Sequence, residues 1–123
     1  MSHTLGERVN KPIGYQELEV WPVTPALTEV CFETAELNAR CPVTDQPDSY
    51  LARISFAPTA WTVESKSLKF YLWSFRDIGI SAEDLAVRLS AELAERLECE
   101  VSVELQQSVR GGLSLTVRAH GRP

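Results

Sequence analysis

Apolar and polar residues alternate from Tyr50 to Phe56, with Leu51 the one apolar residue out of step, again from Cys99 to Gln106 and once more from Leu113 to Val117, whereas the stretch between the first two runs repeats at helical spacing. Strand side chains point to opposite faces with period two, and helix side chains return to one face every three or four residues, so neither pattern can serve the other element. Tyr50, Ala52, Ile54 and Phe56 thus form one face of a strand, with Leu51, Arg53 and Ser55 on the other. Upstream, Leu27, Val30, Phe32 and Leu37 indicate a partner strand up to about residue 38. Between residues 64 and 76, Leu68, Tyr71, Leu72 and Phe75 predict an amphipathic helix that Asp77 and Gly79 end. Ser81 with Asp84 three positions later resembles a helix cap, and Leu85, Leu89, Leu93 and Leu97 carry a second helix to about Leu97. Arg110-Gly-Gly is a turn between the last two strands.

The order is strand, strand, helix, helix, strand, strand. It predicts an α+β fold: an antiparallel four-stranded sheet with both helices on one face. Such a sheet has two free edges and an uncovered face, and edges of this kind are commonly satisfied by another subunit, so a homo-oligomer is expected. Residues 1 to 25, with Pro12, Gly14, Pro22 and Pro25, read as an irregular arm. The 123 residues suffice for one domain but not for separate dinucleotide and substrate domains, so any cofactor is held by this domain or by a copy of it.

Several function classes are disfavoured. A net charge of −5 argues against general nucleic-acid or membrane-surface binding, and no run approaches the roughly 18 apolar residues of a membrane span. The opening residues lack the apolar run of a signal peptide, so a cytoplasmic protein with reduced thiols is expected. Cys31, Cys41 and Cys99 are an odd, widely spaced set with no Cys-x-x-Cys pair, and His3 and His120 are the only imidazoles. A disulfide framework, a zinc site and a Ser-His-Asp triad are therefore all poorly supplied, and no metal is expected.

The stretch from Arg40 to Asp48, with two prolines and two aspartates, is the densest chemistry in the chain. Cys41 follows a cation that would favour thiolate, and Asp48 would give or take a proton beside it. On spacing alone the pair fits equally a structural cysteine near a turn aspartate. Cys31 and Cys99 fit strand alternation and need no chemical role. On the first helix Lys66, Lys69, Trp73 and Arg76 form a basic stripe, either a solvated face or a phosphate-binding one. Glu83, at the start of the second helix, fits a helix-dipole role and also recognition of paired N–H donors on a guanine-like edge.

Four pieces share one order and spacing: Cys-Pro-Val-Thr-Asp-Gln-Pro-Asp at 41 to 48, Val-Glu-Ser-Lys-Ser-Leu-Lys-Phe-Tyr-Leu-Trp-Ser-Phe-Arg at 63 to 76, Glu83-Asp84, and Arg110-Gly-Gly-Leu. Together, from about Leu37 to Leu115, they resemble the single-module 7-cyano-7-deazaguanine reductases of the QueF family, the long middle piece being similar to that family's NADPH-binding signature. The resemblance implies a tunnelling fold, in which subunits join their sheets into a barrel with active sites at subunit interfaces. It implies that Cys41 attacks the nitrile of a 7-deazapurine to form a thioimide and that Asp48 handles the proton. It further implies that Val63, Glu64, Ser65, Ala82 and Glu83 border the substrate, with Glu83 reading its pyrimidine edge. Ser65, Lys66, Arg110 and Gly111 would contact NADPH, and a phosphate role for Lys69 is an extension of the same signature.

Three positions depart from the family pattern. Ser81 and Ala82 stand where the family usually has Phe-His, so base stacking and an imidazole are both missing, and a wider pocket is expected. Asp45 stands where a glycine is usual. Two other activities are compatible with the scaffold: an amidine-forming enzyme of the archaeosine synthase type, against which the intact run from Glu64 to Lys69 argues, and a non-catalytic module, against which Cys41 and Asp48 argue.

Overall fold

The computed structural model describes residues 10–123. A 3-10 turn (Tyr15–Glu17) precedes β1 (Val20–Pro22), β2 (Val30–Arg40), β3 (Pro47–Phe56), β4 (Trp61–Val63), α1 (Ser65–Trp73), α2 (Ala82–Leu97), β5 (Val101–Arg110) and β6 (Leu113–Gly121). Strands β2, β3, β5 and β6 form one antiparallel sheet in that order, and β1 pairs with β4 in a separate short ribbon. The α+β architecture and the order of the four sheet strands and two helices agree with the alternation in the sequence, whereas β1 and β4 were not expected from it. No helix among the described residues is long and apolar enough to cross a membrane.

Strand alternation separates the two faces of the sheet. Asp48, Tyr50, Ala52, Ile54 and Phe56 of β3 are buried, as are Val101, Val103 and Leu105 of β5. The opposite face carries a row of alternating charge across all four strands, because Glu33 pairs in register with Arg53, Arg53 with Glu104, and Glu104 with Arg118. Within that row Arg53 bonds Glu33 at 2.9 Å and Arg118 bonds Glu104 at 3.0 Å. Such exposed pairs contribute little stability, generally under about 1 kcal/mol each, but they keep this face polar.

α2 covers the apolar face with Leu85, Leu89, Leu93 and Leu97, each at most 1% exposed. Burial of such a side chain contributes roughly 2 kcal/mol. Ser81 caps the helix by accepting a bond from the Asp84 amide at 3.1 Å, as the sequence suggested. At the far end of the sheet Gly121 lies against the α2 backbone: a Cβ there would come 2.1 Å from the Ser90 carbonyl oxygen. Only glycine fits that approach.

Two sequence expectations need adjusting. The described part of the segment read as an irregular arm contains the 3-10 turn and β1, and it buries Ile13 and Leu18 in the core; residues 1–9 lie outside the described residues. α1 stops at Trp73 rather than near Arg76, because the Ser74 amide bonds the Tyr71 carbonyl at 3.0 Å and its hydroxyl bonds the same oxygen at 2.6 Å, tightening the last turn. β2 and β6 each have a single strand neighbour, leaving both sheet edges free.

Candidate active site

The Cys41 loop is fixed from three sides. At its entry the Arg40 amide bonds the Ile78 carbonyl and the Ile80 amide bonds the Arg40 carbonyl, both at 2.9 Å, which lays the α1–α2 connection alongside the end of β2. Within the loop the Cys41 amide bonds the Gln46 carbonyl at 2.8 Å, and the Asp45 amide bonds the Cys41 carbonyl at 2.9 Å. The Arg40 guanidinium donates to the Asp45 carbonyl at 3.0 Å. Asp45 adopts φ 60°, in the left-handed region, which explains why glycine suits this position and why an aspartate, which visits that region more readily than most residues, replaces it.

This loop sets the electrostatics of Cys41. A hydrogen bond from the Thr44 side chain, assisted by the backbone amides of Thr44 and Val43, holds the thiol below its usual pKa, while partial burial and the charge of Asp48 oppose that shift. The thiolate is the nucleophilic form of cysteine, so Thr44 directly favours reactivity. Cys41 is partly exposed, unlike the buried Cys99, and Cys31 lies exposed on the polar face of the sheet.

Asp48 begins the buried face of β3 and is 2% exposed. Its carboxylate is paired with the Arg110 guanidinium, whose other amino group donates to Gln46 Oε1 at 2.8 Å. Arg110 thus ties the end of β5 to both the Cys41 loop and its neighbouring carboxylate. Gly111 and Gly112, at φ 58° and 81°, supply the tight two-residue turn that follows. Two residues beyond Asp48, Tyr50 is buried, and its phenol is pushed up to about 12, first by burial and then by the charge of Asp48, with smaller contributions from Glu83 and Cys41. Tyr50 therefore stays protonated and accepts only a long 3.5 Å bond from Gln107. Glu83 is exposed in the first turn of α2, and Ala82 beside it is buried and small.

A second feature lies along the outer edge of β2. A cleft of about 910 Å³ is floored by β2 residues from Phe32 to Asn38 and walled by Ser65, Lys66, Lys69, Trp73 and Arg76. Lys66, Lys69 and Arg76 have no ion-pair partner among the described residues. In a chain of net charge −5, three cations without an ion-pair partner line one wall, across from Glu33 and Glu36 of the floor, and it is that wall that suits a polyanion. Glu64, by contrast, turns its carboxylate to the amides of Lys66 and Ser67, each at 2.8 Å, capping α1, while Val63 is buried in β4.

The residues singled out from the sequence therefore fall into two groups within one chain. Cys41, Asp48, Glu83 and Arg110 gather at one end of the sheet, with Ala82 and Gly111 nearby in sequence. Ser65, Lys66 and Lys69 line the cleft, whose walls include none of the first group. Arg110, assigned to the cofactor by resemblance, is engaged with Asp48. Thr44, Gln46 and Tyr50 were not singled out; Thr44 carried a signal, as a hydroxyl in the same short loop as Cys41, but Tyr50 looks like any inward strand residue.

The model of the family described as QueF-like protein matches residues 47–122, from the start of β3 onward. An NADPH-dependent 7-cyano-7-deazaguanine reductase of Syntrophus aciditrophicus is 43% identical over 93 residues, which are 73% of this chain and 65% of that protein's length. The protein of the same description from Frankia casuarinae is 36% identical over 101 residues, 81% of each chain. Among solved structures, the apo archaeosine synthase QueF-Like superposes with a TM-score of 0.68 at 22% identity, covering 80% of this chain and 96% of that one. That likeness is one of fold, and it bears out the single-subunit α+β architecture of the tunnelling fold expected from the sequence. On the family match and the curated relatives together, the chain belongs to the QueF-like family.

Proposed function

We propose that the protein is an NADPH-dependent nitrile reductase that converts 7-cyano-7-deazaguanine to its 7-aminomethyl product. The observation that carries this reading is a thiol held below its usual pKa by Thr44 beside a buried carboxylate anchored by Arg110. The curated relatives, described as NADPH-dependent 7-cyano-7-deazaguanine reductases, support it.

In this reading Cys41 Sγ attacks the nitrile carbon, a C–S bond forms and one π pair of the C≡N bond moves to nitrogen. Asp48 takes up the thiol proton and passes it to that nitrogen, giving a neutral thioimide. Glu83 accepts from the paired N–H donors of the guanine-like edge, and Val63, Glu64, Ser65 and Ala82 border the base. Tyr50, protonated beneath Asp48, keeps the floor of the site free of further negative charge. Ser65, Lys66 and Lys69 hold NADPH in the cleft, which supplies the reducing equivalents, two molecules per nitrile; Gly111 offers its backbone, and Arg110 is shared between this task and Asp48.

The cleft walls include none of Cys41, Asp48, Glu83 and Arg110, and both sheet edges are free. Those facts support a homo-oligomer in which the cleft of one copy faces the Cys41 loop of another, with sheets joined into a barrel. The test couples NADPH consumption with 7-cyano-7-deazaguanine to intact-protein mass spectrometry. Turnover, and a substrate adduct that disappears in Cys41→Ala, are expected; an adduct without NADPH consumption would refute the reductase reading.

A further inference from the structure

Most arginines of the described chain are engaged. Arg40, Arg53, Arg88, Arg110, Arg118 and Arg122 each face a carboxylate, and Arg96 bonds the Leu18 carbonyl at 2.6 Å. Arg76 has no such partner. Its guanidinium instead lies 5.3 Å from the centre of the Trp73 ring, and both residues line the cleft downstream of Lys66 and Lys69. The indole is only half-buried, so part of its surface is open to the cleft.

We propose that Trp73 and Arg76 form the adenosine end of the cofactor cleft, with Arg76 binding the 2′-phosphate that distinguishes NADPH from NADH. This rests on the NADPH reading above. Lys66 and Trp73 are seven residues apart along α1, about 10 Å of helix rise, a reach suited to the separation between a pyrophosphate and the base across its ribose. An indole face stacks on a purine, and a guanidinium fork matches a phosphate dianion through two parallel N–H···O bonds. Juxtaposed, they recognise a flat base and an anion on its sugar, which neither lysine provides. The guanidinium over the indole is already placed for the task, so little side-chain freedom is lost on binding.

The test is calorimetric titration of the full chain with 2′,5′-ADP and with 5′-AMP, alongside NADPH. The unsubstituted protein is expected to prefer 2′,5′-ADP. Arg76→Ala is expected to weaken 2′,5′-ADP by about tenfold to a hundredfold, the usual worth of a charge-assisted bond, and to leave 5′-AMP unchanged. Arg76→Lys should recover part of the loss, which shows that the variants are folded and that charge at this position matters. An equal loss for both nucleotides, or none for either, overturns the assignment while NADPH binding stands. If the unsubstituted chain binds neither NADPH nor 2′,5′-ADP, the cofactor reading itself falls and this inference with it.

Discussion

Arg110 spans from the last residue of β5 to the carboxylate of Asp48 at the start of β3, 62 positions away in the chain, and binds Gln46 with its other amino group. The pair ties the Cys41 loop to β5, a strand that neighbours β3 in the sheet but lies far from it in sequence.

Removing Arg110 would leave a carboxylate that is only 2% exposed without its counter-charge. Arg110→Ala is expected to cost about 3 kcal/mol in urea unfolding at fixed protein concentration. Asp48→Asn combined with Arg110→Ala should cost less than the sum of the single changes, with a coupling of roughly 1 kcal/mol or more. Strict additivity would show that the two side chains do not interact in solution.

Thr44→Val removes the largest influence that lowers the Cys41 pKa. Alkylation of Cys41 by iodoacetamide, followed by peptide mass spectrometry across pH, should show a midpoint below the ordinary cysteine value in the parent and closer to it in the variant. At neutral pH the variant should react more slowly, while Cys31 labelling is unchanged. Equal midpoints would remove Thr44 from the activation of the thiol.

Alkaline pH should weaken the fold through tyrosine. Tyr50 is pushed up to about 12 by burial, and Tyr71 is also raised, by burial and by its 2.7 Å bond to Glu92. An acid whose folded-state pKa lies above its unfolded value of about 10 contributes stability that is complete below pH 10 and lost as pH climbs through the folded value. Urea midpoints should therefore fall between about pH 10 and 12. Tyr50→Phe together with Tyr71→Phe should flatten that slope, and an unchanged slope would assign the loss to other groups.

Gly121→Ala would set a methyl 2.1 Å from the Ser90 carbonyl oxygen and 2.3 Å from its carbon, both backbone atoms of α2. Relief requires parting β6 from the helix, and a loss of about 1–3 kcal/mol is expected by thermal or urea unfolding. A neutral outcome would mean that the two elements sit farther apart in solution.

The sequence made the sheet and helices legible because their alternation runs for many residues, as in Tyr50 to Phe56 and Leu85 to Leu97. β1 and β4 were missed because three residues each, one a proline in β1, are too few to show a period. Cys41 and Asp48 stood out through their loop, and Lys66 and Lys69 through a basic stripe in an acidic chain. The tie between Arg110 and Asp48 was hidden because it depends on β3 pairing with β5 across both helices, and Tyr50 was hidden because inward strand residues look alike until their neighbours are known.

The row Glu33, Arg53, Glu104 and Arg118 also works as a proofreader of strand alignment. A slip of one residue between any two of these strands reverses every side chain of the moving strand, carrying a carboxylate or guanidinium into the space that Ile54 and Val103 occupy. Each charge stranded there would cost roughly several kcal/mol, more than most single contacts in the correct sheet return. Misaligned sheets are thus rejected by four exposed charges whose own pairings add almost nothing to the stability of the finished fold.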